Sequence, residues 1–251
     1  MIYPPSVQIQ SLPGAGKAVA FNLVGDALVI GNTKNAAAYV YTGTPGSTPY
    51  KLSTTLGWVG SGVGFGSSVA ISDVGDVIVV CFPITASQVG SAYVFRKTGP
   101  NVWDTGSSLN PNDNLGASLY GFSVALSGDG STLAVGGCGD DSGTGAIWMY
   151  KYVASAWVVH LGGKLVASGL DVTTPPANLG RAVGLDTTGT ILAAVHRKLG
   201  GLQRTSVEGR SSFSPTRQLG GHRPSLSPRL PPVLGGFTRI DSMYNLATRF
   251  P

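Results

Sequence analysis

The amino-acid sequence predicts an all-β fold built from β-propeller blades. One unit recurs four times in the same register, glycine accounts for 37 of the 251 residues, and charged residues make up only 12% of the chain. Much glycine and little charge favour short strands joined by tight turns. Almost no window carries the sustained apolar stripe of an amphipathic helix.

The repeat is anchored by glycine. Four segments align without gaps over their first half, and their anchors are Gly16, Gly66, Gly121 and Gly180, spaced by 50, 55 and 59 residues. A valine follows each anchor by three residues, and a second glycine follows that valine by six. Self-similarity at a nearly constant period indicates a repeat architecture.

Each complete unit contains four predicted strands. In the third unit they are residues 124–126, residues 133–135 after a Ser-Gly-Asp-Gly turn, residues 146–150, and a strand beginning at Trp157. The first and second units show the same order, with third strands at 38–41 and 92–95 and fourth strands beginning near Tyr50 and Trp103. Four strands in about 50 residues are typical of a propeller blade, which must stack on its neighbours to bury both faces.

The fourth unit contains only two predicted strands, 182–185 and 191–195, before the repeat stops. Residues 1–196 are therefore predicted to form three four-stranded blades plus half of a fourth. Residues 7–10 align with the end of a blade's outer strand. Since closed propellers contain four to eight blades, we expect this region to belong to a larger propeller.

Residues 197–251 differ in composition from the repeats. Residues 1–195 hold eight Lys and Arg against ten Asp, whereas 196–251 hold nine Lys and Arg against Glu208 and Asp241. The segment is rich in Ser, Pro, Gly and Arg, which is typical of disorder. The abrupt change favours a shifted reading frame or an unspliced segment. A disordered tail and a basic arm for nucleic acid or an acidic partner are the alternatives.

The repeat resembles the FG-GAP family of integrin-α-like propellers. Phe65 and Gly66 match its FG element, and residues 80–83 and 135–138 match its V-G-A-P element in part. The resemblance covers about residues 7–196. It implies a non-catalytic module that binds a protein or glycan, as adhesion proteins do, at the cell surface or outside the cell; the sequence itself leaves the compartment unknown.

Two other functions remain open, a propeller enzyme of the hydrolase or lyase type and a non-functional truncated fragment. Carboxylates clustered on one rim would favour the enzyme. The acidic residues here are dispersed among turns, so we predict no catalytic residue.

The family resemblance also implies calcium, bound by a loop with several acidic residues. Calcium takes six to eight oxygen ligands, but none of the equivalent turns holds three acidic residues. The turn aspartates are therefore predicted to be structural. Asp129, together with Asp140 and Asp141 of the following loop, is the candidate calcium site, and no other cofactor is expected.

The remaining reactive and aromatic side chains favour packing roles. His160, His196 and His222 lack the spacing of a metal site, and Cys81 and Cys138 are predicted to be buried thiols. Trp103, Trp148 and Trp157 recur at repeat positions and are predicted to pack within blades, whereas Trp58 is expected to be exposed. The N-terminus lacks a signal-peptide pattern, and no apolar stretch is long enough to span a membrane.

Overall fold

The computed structural model describes residues 16–45, 50–57, 64–85, 87–166, 177–196 and 244–249. The predictions made for residues 7–10, for Trp58, for His222 and for residues 197–243 lie outside these ranges. The side chain of His196 also lies outside the described part.

The described chain forms four antiparallel sheets that follow one another in sequence, which confirms the predicted all-β fold. Sheet 1 contains β1 (Ala18–Phe21), β2 (Ala27–Asn32), β3 (Ala37–Thr42) and β4 (Lys51–Gly57). Sheet 2 contains β5 (Ser68–Ile71), β6 (Val77–Phe82), β7 (Ser91–Gly99), β8 (Val102–Trp103) and β9 (Ser107–Leu109). Sheet 3 contains β10 (Ser123–Leu126), β11 (Thr132–Gly137), β12 (Ala146–Val153) and β13 (Ala156–Leu165), with one helical turn, α1 (Asp140–Gly143), between β11 and β12.

Sheet 4 contains β14 (Ala182–Leu185), β15 (Ile191–His196) and β16 (Tyr244–Arg249). The expectation of a two-stranded fourth unit was wrong, because β16 pairs antiparallel with all six residues of β15. An unpaired β15 would expose a row of backbone donors and acceptors. The segment at 244–249 contains Tyr and Thr, which suit a strand. It lies far from the repeat in sequence and was therefore not predicted.

The outer strand of sheet 2 is split into two pieces. β8 pairs with the end of β7 and β9 pairs with its beginning. The break falls at Asp104, whose Oδ1 accepts hydrogen bonds from the backbone N–H groups of Arg96 and Gly106 at 3.0 Å each. This carboxylate closes the turn that redirects the chain between the two short strands.

Neighbouring sheets bury apolar faces against one another. Alternate residues of a strand point to opposite faces, so each middle strand contributes to two interfaces. Between sheets 1 and 2 the core contains Val29, Val40, Phe65, Val69, Ile78 and Val80; between sheets 2 and 3, Val77, Val79, Val94, Tyr120, Leu133 and Trp148; and between sheets 3 and 4, Ala134, Ile147, Met149, Leu179, Leu192 and Ala194. This consecutive stacking is the architecture of a β-propeller.

Two of the anchor glycines show why the repeat needs glycine there. Gly66 and Gly180 have φ of +92° and +84°, where an L side chain is strained. A Cβ on Gly180 would also lie 2.4 Å from the carbonyl oxygen of Ala146 in the preceding unit, and one on Gly66 would lie 2.7 Å from the Asn32 nitrogen. The anchors are thus points of close approach between the backbones of successive units.

Backbone hydrogen bonds join the hairpin turns of successive sheets. The N–H of Leu23 donates to the carbonyl of Asp73 at 3.3 Å, the N–H of Asp73 to the carbonyl of Gly128 at 2.8 Å, and the N–H of Gly128 to the carbonyl of Thr187 at 2.8 Å. These four residues occupy the same position in the four repeats. The turns between the first two strands of each sheet therefore line up along one edge of the stack.

Both cysteines are free and buried, as predicted. Burial raises the pKa of the Cys81 thiol to about 12, with a hydrogen bond to Ser68 acting in the opposite direction. Cys81 is therefore an uncharged core residue at neutral pH. None of the helical structure in the described ranges is long and apolar enough to cross a membrane.

Candidate functional site

The candidate site is a cleft of about 370 Å³ on the outer part of sheet 3. The loop between β9 and β10 forms one wall, and β12 with β13 forms the floor and the other wall. The lining residues are Asn110, Asn112, Asp113, Trp148, Met149, Tyr150, Val159 and Gly163. The mouth is polar and exposed, whereas Trp148, Met149 and Tyr150 on the floor are buried.

A wide irregularity in the pairing of β12 with β13 opens the cleft. Trp148 pairs with Lys164, but Tyr150, two residues further along β12, pairs with Val159. Four residues of β13, 160–163, are left without a partner in the register, and Gly163 has φ of +92°. Irregularities of this kind bend a strand and re-aim side chains, and they are common beside functional sites.

Asp113 is held in place from two sides. The Trp148 indole N–H donates to Asp113 Oδ1 at 2.6 Å, and the Lys164 ammonium donates to the Asp113 carbonyl oxygen at 3.1 Å. Hydrogen bonds to an ionised acceptor are roughly twice as strong as neutral ones. The wall of the cleft is therefore fixed to its floor through this one residue.

A buried carboxylate behind the wall secures the same loop. Asp140 has no exposed surface, and its Oδ2 lies 2.7 Å from the Lys164 ammonium. That oxygen makes no hydrogen bond of standard geometry, so its charge is balanced by the ion pair itself. Asp140 Oδ1 accepts the backbone N–H of Leu115 at 2.7 Å, and the N–H of Asp141 donates to the Leu115 carbonyl at 2.9 Å.

The polar groups at the mouth are available to a ligand. Among the described residues, the side chains of Asn110 and Asn112 and the Oδ2 atom of Asp113 have no hydrogen-bond partner. Two amides and one carboxylate oxygen offer both donors and acceptors. Tyr150 lies on the floor below these groups, and burial raises the pKa of its hydroxyl. The neighbouring Tyr120 hydroxyl lowers that pKa, and the charge of Asp113 raises it further. The floor is therefore uncharged at neutral pH.

The three candidate calcium ligands do not come together. Asp129 lies in the turn before β11, whereas Asp140 and Asp141 follow its other end. A six-residue strand spans roughly 20 Å, so Asp129 and Asp140 are too far apart to share an ion. Asp140 is engaged with Lys164, and Asp141 is exposed with φ of +47°. Within the described ranges, no three His, Cys, Asp or Glu side chains are placed to hold a metal.

Asp129 instead organises its own turn, as the predicted structural role requires. Its carboxylate accepts hydrogen bonds from the Ser127 hydroxyl at 2.6 Å and from the Ser131 N–H and hydroxyl at 2.9 and 2.7 Å. Partial burial raises the pKa of Asp129, but these hydrogen bonds outweigh it and the net shift is downward. In the matching turn of the second unit, Asp76 stands at the repeat position of Ser131 and accepts a hydrogen bond from Ser72 at 2.6 Å.

The tryptophans occupy packing positions, and one of them also serves the cleft. Trp103 packs against the core between sheets 1 and 2, and Trp157 lies 5.3 Å from the Tyr152 ring in the third unit. Trp148 is 2% exposed and meets Tyr120 edge-on at 5.2 Å. Its bond to Asp113 was not expected from the sequence. The three asparagines within residues 110–114 were the signal available there.

Comparison with known proteins finds similarity among solved structures. No family model matches the sequence, and no curated protein matches it. Among solved structures, the chain is similar to Kuenenia stuttgartiensis hydrazine synthase, with a TM-score of 0.49, 19% identity, and coverage of 72% of this chain and 44% of that chain. It is also similar to the β-propeller domain of Myceliophteria thermophila Cps50 (Swd1), with a TM-score of 0.46, 13% identity, and coverage of 71% and 49%.

The chain spans less than half the length of each of these two structures. Its own four stacked antiparallel sheets place it in the class of β-propeller proteins.

Proposed function

We propose that the protein is a non-catalytic binding module whose ligand occupies the cleft on sheet 3. The observation that carries the proposal is a rigidly held wall with unpaired polar groups above an apolar floor. Trp148 and Lys164 fix Asp113, while Asn110 and Asn112 beside it lack partners among the described residues. Ligand sites commonly combine an apolar pocket with a few fixed polar groups.

The chemistry of the mouth favours the end of a glycan. Sugar hydroxyls both donate and accept hydrogen bonds, which matches two amides and one carboxylate oxygen. The volume of about 370 Å³ lies at the lower end of the range for small-molecule sites, which suits one or two sugar rings. Membership of the FG-GAP family, suggested by the repeat, is part of this proposal and agrees with an interaction role.

The arrangement of acidic groups supports binding rather than hydrolysis. Glycosidases use two carboxyl groups that face the scissile bond, one of them a general acid. Asp113 is the one carboxylate among the residues that line this cleft. The nearby Asp140 is fully buried and paired with Lys164, so it is not available to a substrate.

Titration calorimetry with a panel of soluble oligosaccharides tests the proposal. Asp113→Asn keeps an acceptor for the Trp148 indole but removes the charge, and Asn112→Ala removes one amide. Both are expected to weaken binding of an oligosaccharide by roughly fivefold or more, since one hydrogen bond is worth about 1 kcal/mol. The matched control is Asp73→Asn in the turn between β5 and β6, which should bind normally.

Two outcomes would contradict the proposal. If no oligosaccharide binds but a peptide panel does, the glycan part of the proposal is wrong and the module recognises protein instead. Chromatography of the oligosaccharide after long incubation detects any cleavage. Cleavage that Asp113→Asn abolishes and Asp73→Asn preserves would identify a propeller enzyme.

A further inference from the structure

Sheet 1 leaves part of an apolar face exposed. Val19 and Phe21 of β1 are 63% and 52% exposed. Val69 and Ile71, at the same repeat positions in β5, are each 9% exposed. They are covered because sheet 2 packs this face on sheet 1. Among the described residues no sheet stands in front of β1 to do the same for Val19 and Phe21. Leu28 and Ile30, their register partners on β2, are buried, so the exposed part of this face is β1.

Sheet 4 has an open face at the other end of the stack. Leu192 and Ala194 of β15 are buried against sheet 3. The residues that alternate with them, Ile191 and Ala193, are exposed, as is Ala182 of β14. Since successive side chains of a strand point to opposite faces, the open face is the one that would carry a following sheet.

The exposed β1 residues and the open face of sheet 4 correspond in repeat position to the two sides of an interface that the chain already builds. Where sheet 2 covers sheet 1, Val69 and Ile71 meet a surface that includes Ala18, Ala20 and Ala27. At the open end of sheet 4, the residues at the corresponding repeat positions are Ala182, Gly184 and Ile191. The face of sheet 4 therefore presents small and aliphatic residues where the face of sheet 1 presents Val19 and Phe21.

We infer that the exposed part of the sheet 1 face, at β1, docks on the open face of sheet 4 of a second copy of this chain. The contact is head-to-tail. When two copies form a closed ring, each copy therefore contributes its sheet 1 face to one interface and its sheet 4 face to the other. Head-to-tail contacts form rings when the rotation closes. Two copies with four sheets each give eight sheets, which is within the range of closed propellers.

Light scattering coupled to size-exclusion chromatography measures the mass of the full chain over a range of concentrations. Wild type is expected at twice the chain mass. Phe21→Asp on the sheet 1 face and Ala193→Arg on the sheet 4 face are each expected to run as monomers. Val74→Asp is the control, because Val74 is 71% exposed in the turn between β5 and β6, away from both faces, and should leave the dimer intact.

Mixing the two monomeric variants separates a head-to-tail contact from a symmetric one. The Phe21→Asp variant keeps an unchanged sheet 4 face, and the Ala193→Arg variant keeps an unchanged sheet 1 face. The mixture is therefore expected to form a dimer through the one interface that joins these two faces. Far-UV circular dichroism verifies that each variant is folded, and Val19→Asp replaces Phe21→Asp if the latter is not. A monomeric wild type overturns the inference. A dimeric Ala193→Arg variant alone also overturns it, because that result requires two sheet 1 faces to pair.

Discussion

The Lys164 ammonium lies 2.7 Å from Oδ2 of Asp140, a carboxylate with no exposed surface. Replacing Lys164 by Met leaves a buried charge without its partner. We expect the free energy of unfolding to fall by about 3–5 kcal/mol, measured by urea denaturation. Lys51→Met, at an exposed position in β4, should change it little.

The same pair allows a double-mutant test. Combining Lys164→Met with Asp140→Asn removes the unpaired charge while retaining an acceptor for the Leu115 N–H. The double variant should therefore be more stable than Lys164→Met alone. An additive loss from the two substitutions would show that the two groups do not interact.

Gly136→Ala is expected to destabilise the interface between sheets 3 and 4. A Cβ at this position would lie 2.1 Å from the carbonyl oxygen of Gly180 and 2.5 Å from the Ser123 hydroxyl. The crowding should cost about 1–3 kcal/mol, seen as a lower melting temperature. Gly57→Ala at the end of β4 is the matched control, because no atom lies within 4 Å of its added Cβ, and it should be neutral or stabilising.

Asp186 should make stability depend on pH in the acidic range. The Thr188 hydroxyl and the N–H groups of Ile191 and Thr190 donate to its carboxylate, and they lower its pKa to about 2. Because the pKa of Asp186 is lower in the folded chain than in the unfolded chain, its ionised carboxylate stabilises the folded state at pH values above the unfolded pKa. This contribution is lost as the pH falls from about 4 to about 2.

Asp186→Asn should therefore lose less stability over that range than wild type does. Thermal melts at the two pH values measure the difference, and Asp141→Asn is the control because Asn tolerates the positive φ of Asp141. A carboxyl titration by NMR that placed Asp186 at its ordinary pKa would contradict the prediction.

Removal of residues 244–251 should expose the edge of β15. In the intact chain β16 pairs with β15 from Ile191 to His196, so those β15 amides that bond to β16 should be protected from hydrogen exchange. The truncated chain should lose that protection, while the amides of β11 keep theirs. Equal exchange in both chains would mean that the tail does not add a strand in solution.

The sequence predicted the strands of the repeats because their signals are local. The first two strands of the fourth unit were predicted at 182–185 and 191–195, and they lie at Ala182–Leu185 and Ile191–His196. Each unit contains apolar runs between glycine turns, because its strands are buried between neighbouring sheets. β16 could not be predicted in this way, because it pairs across almost fifty residues and belongs to no repeat.

The candidate site depended on information that no single segment contains. The cleft arises from the irregular pairing at 160–163, which is a property of two strands together. The link from Trp148 to Asp113 joins residues 35 positions apart. Asp140 was proposed as a calcium ligand, and only the fold shows that Lys164 occupies its carboxylate.

The turn-to-turn hydrogen bonds described above use only main-chain atoms, and the residues that make them are Leu23, Asp73, Gly128 and Thr187. Four different residue types thus make the same main-chain contact. The joint itself uses no side chain, although an added Cβ at Gly128 would lie 2.0 Å from Asp73 Oδ2. Proline is the replacement that the joint forbids at Leu23, Asp73 and Gly128, because it has no N–H to donate.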